Sequence, residues 1–202
     1  MRKTAVGFAT LILVLVSGCA TYKEELQILK DDSGTLSFTS GVVEMFGTES
    51  EVNYHPDGIE GYRIVSVNSY ADDGFDWTEA IAHFDSIDAL AEVVESSAGL
   101  VGRISYEEDG EGNMVFLRDL TPVRDLIRVF TGGEEPTEEM VEEELGELAF
   151  LPWSFTVQFE GRILDTNALP ENIDESTNTV SWFFTFRDLV DTPQIMCVTV
   201  AQ

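Results

Sequence analysis

The sequence predicts an α+β fold: a curved antiparallel β-sheet, open or barrel-like, with two or three helices packed on it. Three observations predict it. Two long segments alternate polar and apolar residues. Trp153, Phe155, Val157 and Phe159 share one face of the first, and Val180, Trp182, Phe184 and Phe186 share one face of the second; that period of two belongs to half-buried strands. Short β-branched runs broken by Asp, Ser and Gly recur through the first half, as in hairpins. Apolar residues also fall at i, i+3, i+4 and i+7 over 87–94 and 123–130, the stripe of an amphipathic helix.

Taken in order, residues 24–30 and 35–40 read as a first hairpin across Asp31-Asp32-Ser33-Gly34, with Leu26 and Ile28 on one face. The stretch 41–51 is either a short helix or a loop, and 55–61 is a loop by its Pro and Gly content. Residues 62–70 and 75–84 form a second hairpin, turned by Ala71-Asp72-Asp73-Gly74. A helix follows over 86–97, which Asp85 or Ser86 can cap and Gly99 can end. A third hairpin joins 101–108 to 113–119. Thr121 and Pro122 then open a helix over 121–130, whose apolar face is Val123, Leu126, Ile127 and Phe130. Glutamates crowd 134–148 around a narrow stripe of Val141, Leu145 and Leu148; this is either a solvated helix or one that binds a partner. The strands at 153–159 and 180–186 come next, and Gln194–Val200 is the last strand.

The N-terminal segment carries an address. Arg2 and Lys3 precede an apolar run, Ala5 to Val16, which is too short for a comfortable bilayer span of roughly 20 residues. Val16-Ser17-Gly18-Cys19 resembles the lipobox of bacterial lipoproteins. That resemblance implies cleavage after Gly18 and acylation of the Cys19 thiol, with two or more chains holding stably where one does not. Ala20 in the following position leans towards the outer membrane in a Gram-negative cell. The expected organisation is a signal peptide at 1–18, a lipidated cysteine and short tether at 19–23, and a single α+β domain at 24–202. The domain would sit outside the cytoplasm.

The full chain has a formal net charge of −27, and loss of Arg2 and Lys3 takes it to −29. Such a surface repels nucleic acid and anionic lipid faces. Lysine is nearly absent after Cys19: only Lys23 and Lys30 remain. The acidity fits solvation in brine or a surface for cations or a cationic partner. Lys23 and Lys30 are expected to face the membrane, with the carboxylates pointing away. Cys197 is the only cysteine left for the domain, so no internal disulfide is expected, and it reads as a small buried apolar residue.

No motif names a reaction. His55 and His83 stand in no metal-binding pattern, and no nucleophile elbow, P-loop or dinucleotide fingerprint occurs. No catalytic residue, metal or cofactor is expected. Three acidic turns, at 72–76, 107–113 and 165–175, are candidates for calcium loops. None matches the EF-hand pattern, and hairpin turns use Asp, Asn and Gly for backbone reasons.

Several stretches together resemble the LppM-type bacterial lipoproteins and related envelope lipoproteins. They are the lipobox, "KEELQILKDDSGTLSF", "GYRIVSVNSYADDGFDWTEAIAHFDSIDAL" and "FEGRILDTNALPENIDESTNTVSWFF". The resemblance covers most of the chain after Cys19. It implies an α+β fold with a curved or barrel-like sheet, anchored in the envelope and similar to lipid-binding modules; no catalytic residues come with it. The expected function is a lipid-anchored, non-enzymatic envelope domain that binds an apolar or amphiphilic ligand or a protein partner. Its lining would be Trp153, Phe155, Trp182, Phe184 and Phe130. The alternative is a structural or assembly lipoprotein that acts through an edge strand or the acidic helix.

Overall fold

The computed structural model describes residues 21–43, 59–96, 102–121, 150–192 and 194–201. The helices expected at 121–130 and 134–148, with Phe130, lie outside these residues apart from Thr121. So do Cys19, the acidic stripe and most of 41–58.

The described residues form eleven strands: β1 (Thr21–Ile28), β2 (Gly34–Val43), β3 (Tyr62–Asp72), β4 (Phe75–Phe84), β5 (Arg103–Glu108), β6 (Met114–Asp119), β7 (Pro152–Phe159), β8 (Ile163–Thr166), β9 (Ile173–Asp174), β10 (Thr179–Thr185) and β11 (Ile195–Val200). They make two open sheets. The large one has the order β3-β4-β2-β1-β7-β10-β9, and the small one β5-β6-β11-β8. The described residues contain two α-helices, α1 (Ile87–Ser96) and α2 (Phe186–Asp191).

This corrects the expected fold class. The described residues are mostly β, in two sheets rather than one, and among them there is no closed barrel and no layer of helices. The reason is that the aromatic inner faces cover each other. Phe159 of the large sheet meets Phe116 and Tyr106 of the small one, at ring-centroid distances of 5.7 and 6.2 Å. A strand face that needs cover looks the same in sequence whether a helix or another sheet supplies it. The large sheet is also mixed, because β1 pairs with β7 in parallel, Tyr22 opposite Trp153.

Local chemistry explains the hairpins. Asp73 and Gly74 both have positive φ, 50° and 78°, as a two-residue type I′ turn between β3 and β4 requires. In the first hairpin the Asp31 carboxylate accepts from the Ser33 N–H and hydroxyl, at 3.2 and 2.6 Å, beside Asp32 at φ 64°. The strand β3 bulges between Ile64 and Ser66, so its later half changes phase.

Helix α1 starts where Ser86 Oγ accepts from the Ala89 N–H at 3.2 Å, and it buries Ile87, Leu90, Val93 and Val94. It lies against β5 and touches β3 and β4, so it bridges the two sheets along one side. Helix α2 replaces the expected end of a strand at Phe186. Thr185 caps it: its hydroxyl accepts from the Asp188 N–H while the Asp188 carboxylate accepts from the Thr185 N–H, a reciprocal capping box.

The core runs between the sheets. Leu26, Ile28, Leu36, Phe38, Phe84, Phe116, Phe155 and Val198 are all closed off from solvent. Each such aliphatic or aromatic side chain contributes roughly 1.5–3 kcal/mol by its burial.

Candidate functional site at the inter-sheet ion pair

The strand β1 turns every second residue inward: Tyr22, Glu24, Leu26 and Ile28. The strand β6 does the same with Met114, Phe116 and Arg118. Glu24 and Arg118 therefore point at each other from opposite sheets. Arg118 Nη2 lies 2.9 Å from Glu24 Oε2, with the two residues only 1% and 5% exposed. Tyr22 Oη donates to the same carboxylate oxygen at 2.7 Å. Arg118 Nη1 reaches the Arg103 carbonyl at 3.4 Å, and the guanidinium lies 5.8 Å from the centre of the Phe155 ring.

Tyr62, at the start of β3, completes the cluster. Its hydroxyl is buried without a hydrogen-bond partner, as is Arg118 Nε. Burial, and then the charge of Glu24, push the Tyr62 phenol up to about 12. Tyr106 on β5 is raised to about 12 as well, by burial and then by Asp32. The arrangement neutralises one acid and one base inside an apolar layer. It holds the two sheets in one relative position, because neither charge can slide away from the other without being left bare.

The residues expected to line a ligand site occupy the same layer. Trp153, Phe155 and Trp182 are 3%, 1% and 7% exposed, and Phe184 packs half-buried beside them. Tyr22 sits between Trp153 and Phe155, with ring centroids 5.4 and 5.5 Å away, and Phe184 lies 6.1 Å from Phe155. Trp153, Phe155 and Phe184 are thus brought together around Tyr22 and the ion pair, and Trp182 stands opposite Phe155 in the ladder. Phe130 lies outside the described residues. Trp182 is fixed from the small sheet. Asn167 Oδ1 accepts from Trp182 Nε1 at 3.2 Å and from the Cys197 N–H at 3.0 Å. Asn167 and Trp182 both lie in the stretch "FEGRILDTNALPENIDESTNTVSWFF", and this hydrogen bond is their physical link.

Glu24 and Arg118 were not foreseen as a site. A signal existed: each keeps the phase of its apolar neighbours, Glu24 with Leu26 and Ile28, Arg118 with Phe116.

Two of the three acidic turns, at 107–113 and 165–175, spend a carboxylate on nearby backbone groups. Asp109 accepts from the Glu111 and Asn113 N–H groups at 2.7 and 2.9 Å and from Asn113 Nδ2 at 3.1 Å. Asp174 accepts from the Ser176 N–H and hydroxyl at 2.9 and 2.6 Å. Among the described residues no three His, Cys, Asp or Glu side chains are placed to share a metal ion. Cys197 is half-buried on the outward face of β11, its thiol pushed up by burial and then by Asp165.

The two lysines do not share one end of the molecule. Lys23 lies near the start of β1 and Lys30 two residues beyond its far end, and the strand from Lys23 to Ile28 alone spans roughly 17 Å. Lys23 pairs with Glu25 at 2.9 Å, and the backbone N–H of Lys30 is held by Glu160 at 3.0 Å, beyond the far end of β1. Both therefore cannot face a membrane at the Thr21 end. None of the described helices is long and apolar enough to cross a membrane.

Comparison with known proteins gives one structural likeness. The folded domain of the Mycobacterium tuberculosis LppM protein, solved by NMR, superposes with a TM-score of 0.48 at 15% identity, over 92% of this chain and 91% of that one. No protein-family model matches the chain, and no curated protein matches it.

Proposed function

We propose that the protein is a lipid-anchored, non-enzymatic domain of the bacterial envelope that works by binding a protein partner on its surface. The observation that carries this is the position of Cys19. The lipobox-like Val16-Ser17-Gly18-Cys19 ends two residues before Thr21, the first residue of β1. Acyl chains on Cys19 would pull directly on the central strands of the large sheet. The rings nominated as a ligand lining are packed against one another, which favours a surface over a cavity. The edge of the large sheet at β3 supplies such a surface. No described strand pairs with its outer edge, and Val65 and Val67 are 49% and 47% exposed. An extended segment of another envelope protein could add to that edge by main-chain hydrogen bonds.

Two measurements test this. Metabolic labelling with a palmitate analogue should mark the wild-type chain and leave Cys19→Ser unmarked. A photo-cross-linker at Val67 in intact cells should capture one partner, while the same group at Leu164, on the small sheet, should not. An unlabelled wild-type chain would remove the anchor, and no capture at Val67 would remove the edge.

A second reading is an amphiphile held between the sheets. The buried, unmatched Tyr62 hydroxyl and Arg118 Nε favour it, because a polar headgroup reaching between the sheets would satisfy both. Native mass spectrometry of the purified domain should then show a co-purified lipid, and one that Tyr62→Phe loses.

A further inference from the structure

One row of residues crosses the large sheet at the end where β1 begins. Thr21 on β1 is opposite Gly41 on β2, Gly41 is opposite Trp77 on β4, and Trp77 is opposite Tyr70 on β3. On the other flank the Thr21 hydroxyl donates to the carbonyl of Pro152, the first residue of β7, at 2.8 Å. Residues directly opposite one another share a face of the sheet. The Trp77 indole uses this to lie across Gly41 towards Thr21. A Cβ on Gly41 would fall 2.7 Å from Thr21 Cγ2 and 3.0 Å from Trp77 Cζ3.

The rings around Trp77 are held in advance. Tyr70 stacks on it at 6.4 Å and 17°, and Phe75 packs on it at 5.6 Å. Trp77 Nε1 donates to the Asp72 carbonyl at 3.2 Å, and Tyr70 Oη donates to Glu79 at 3.0 Å. Phe75 is two residues beyond this row towards the turn. Phe150 is two residues before Pro152, 51% exposed, with the Arg187 guanidinium 5.7 Å from its ring. Cys19 is also two residues from the row, at most about 7 Å of chain. The strand β4 lies two strands from β1, about 10 Å to the side.

We infer that this end of the large sheet is a seat for the lipid–water interface, with Tyr70, Phe75 and Trp77 on one flank of the anchor and Phe150 on the other. The inference rests on the reading of Cys19 as the acylated residue. Acyl chains on Cys19 leave this end no room to stand away from the headgroups. Aromatic rings with one polar edge are the side chains that favour that depth. The surface it fits carries zwitterionic headgroups. Asp72, Asp73 and Asp76 surround the turn and repel anionic lipid, while a choline or ethanolamine cation meets both these carboxylates and the ring faces.

The test uses the full acylated chain in phosphatidylcholine vesicles that contain lipid brominated near the top of the acyl chain. Trp153 and Trp182 are buried, so Trp77 is the tryptophan that contact quenchers can reach. The wild type should be quenched, and Trp77→Phe should abolish that quenching while the protein still floats with the vesicles. Flotation without Trp77-dependent quenching would overturn the seat and leave the anchor standing. A chain with no acyl mass on Cys19 that fails to float would overturn the anchor, and the seat with it. A dimer in lipid-free buffer that Phe75→Ser dissolves would give these rings to a second copy and overturn the lipid assignment.

Discussion

Glu24 on β1 and Arg118 on β6 meet at 2.9 Å between the two sheets, each almost wholly closed off from solvent. Removal of one partner strands the other in an apolar layer, which costs roughly 3–5 kcal/mol. Arg118→Ala and Glu24→Ala should each lower stability by about that much in urea unfolding. The double replacement Glu24→Leu with Arg118→Met should recover most of the loss, because it leaves no bare charge. A double variant as unstable as the singles would show that the two groups are not coupled.

The same pair shows how much the sequence discloses. The hairpins were legible because alternation and turn chemistry agree locally: Asp73-Gly74 demands positive φ where the polarity pattern already demands a turn. The strand faces of Trp153 and Trp182 were legible for the same reason. The second sheet was not, because Phe116 and Phe159 would look alike under a helix. Parallel pairing of Tyr22 with Trp153 leaves no local trace, since the two strands lie far apart in sequence with β2 to β6 between them. Helix α2 was hidden because Phe186 continues the alternation of Val180, Trp182 and Phe184; only Thr185 and Asp188, three residues apart, announce the change. Glu24 and Arg118 carry residue types that belong on surfaces, but their phase with Leu26, Ile28 and Phe116 places them inside.

Alkaline pH should loosen the fold through its tyrosines. Burial raises Tyr62 and Tyr106 from 10.0 to about 12. The unfolded chain releases these protons first, so stability is full below about pH 10 and falls as pH rises towards about 12. Denaturant titrations across that window should show the decline. Tyr62→Phe should flatten it, and ultraviolet titration of the folded wild type should show late-ionising phenols that Tyr62→Phe and Tyr106→Phe remove one at a time.

Acid should act at the turns. Hydrogen bonds from the Asn113 N–H and side chain, and then from the Glu111 N–H, hold the Asp109 carboxyl below the ordinary carboxylate range. Its contribution is complete above the unfolded carboxylate value and fades as pH falls through the lower folded one. The protection of the Glu111 and Asn113 amides, measured as exchange relative to the intrinsic rate at each pH, should fall at acid pH in the wild type. In Asp109→Ala that protection should be low at every pH and nearly independent of acid. An unchanged exchange rate in that variant would mean that the turn holds without the carboxylate.

On the outer face of the large sheet Gly41 of β2 lies between Thr21 of β1 and Trp77 of β4. A methyl group there must displace either the Thr21 methyl, 2.7 Å away, or the edge of the Trp77 indole, 3.0 Å away. Insertions of this size into packed sites cost typically about 1–3 kcal/mol. Gly41→Ala should therefore lower the thermal midpoint and shift tryptophan emission to the red, as the indole is pushed off β1. Thr21→Ser removes the nearer obstacle but keeps the hydroxyl that bonds the Pro152 carbonyl. In that background Gly41→Ala should cost distinctly less, and the emission should return towards the wild-type position. Equal costs in the two backgrounds would place the strain in the backbone of β2 or against the indole rather than against the Thr21 methyl.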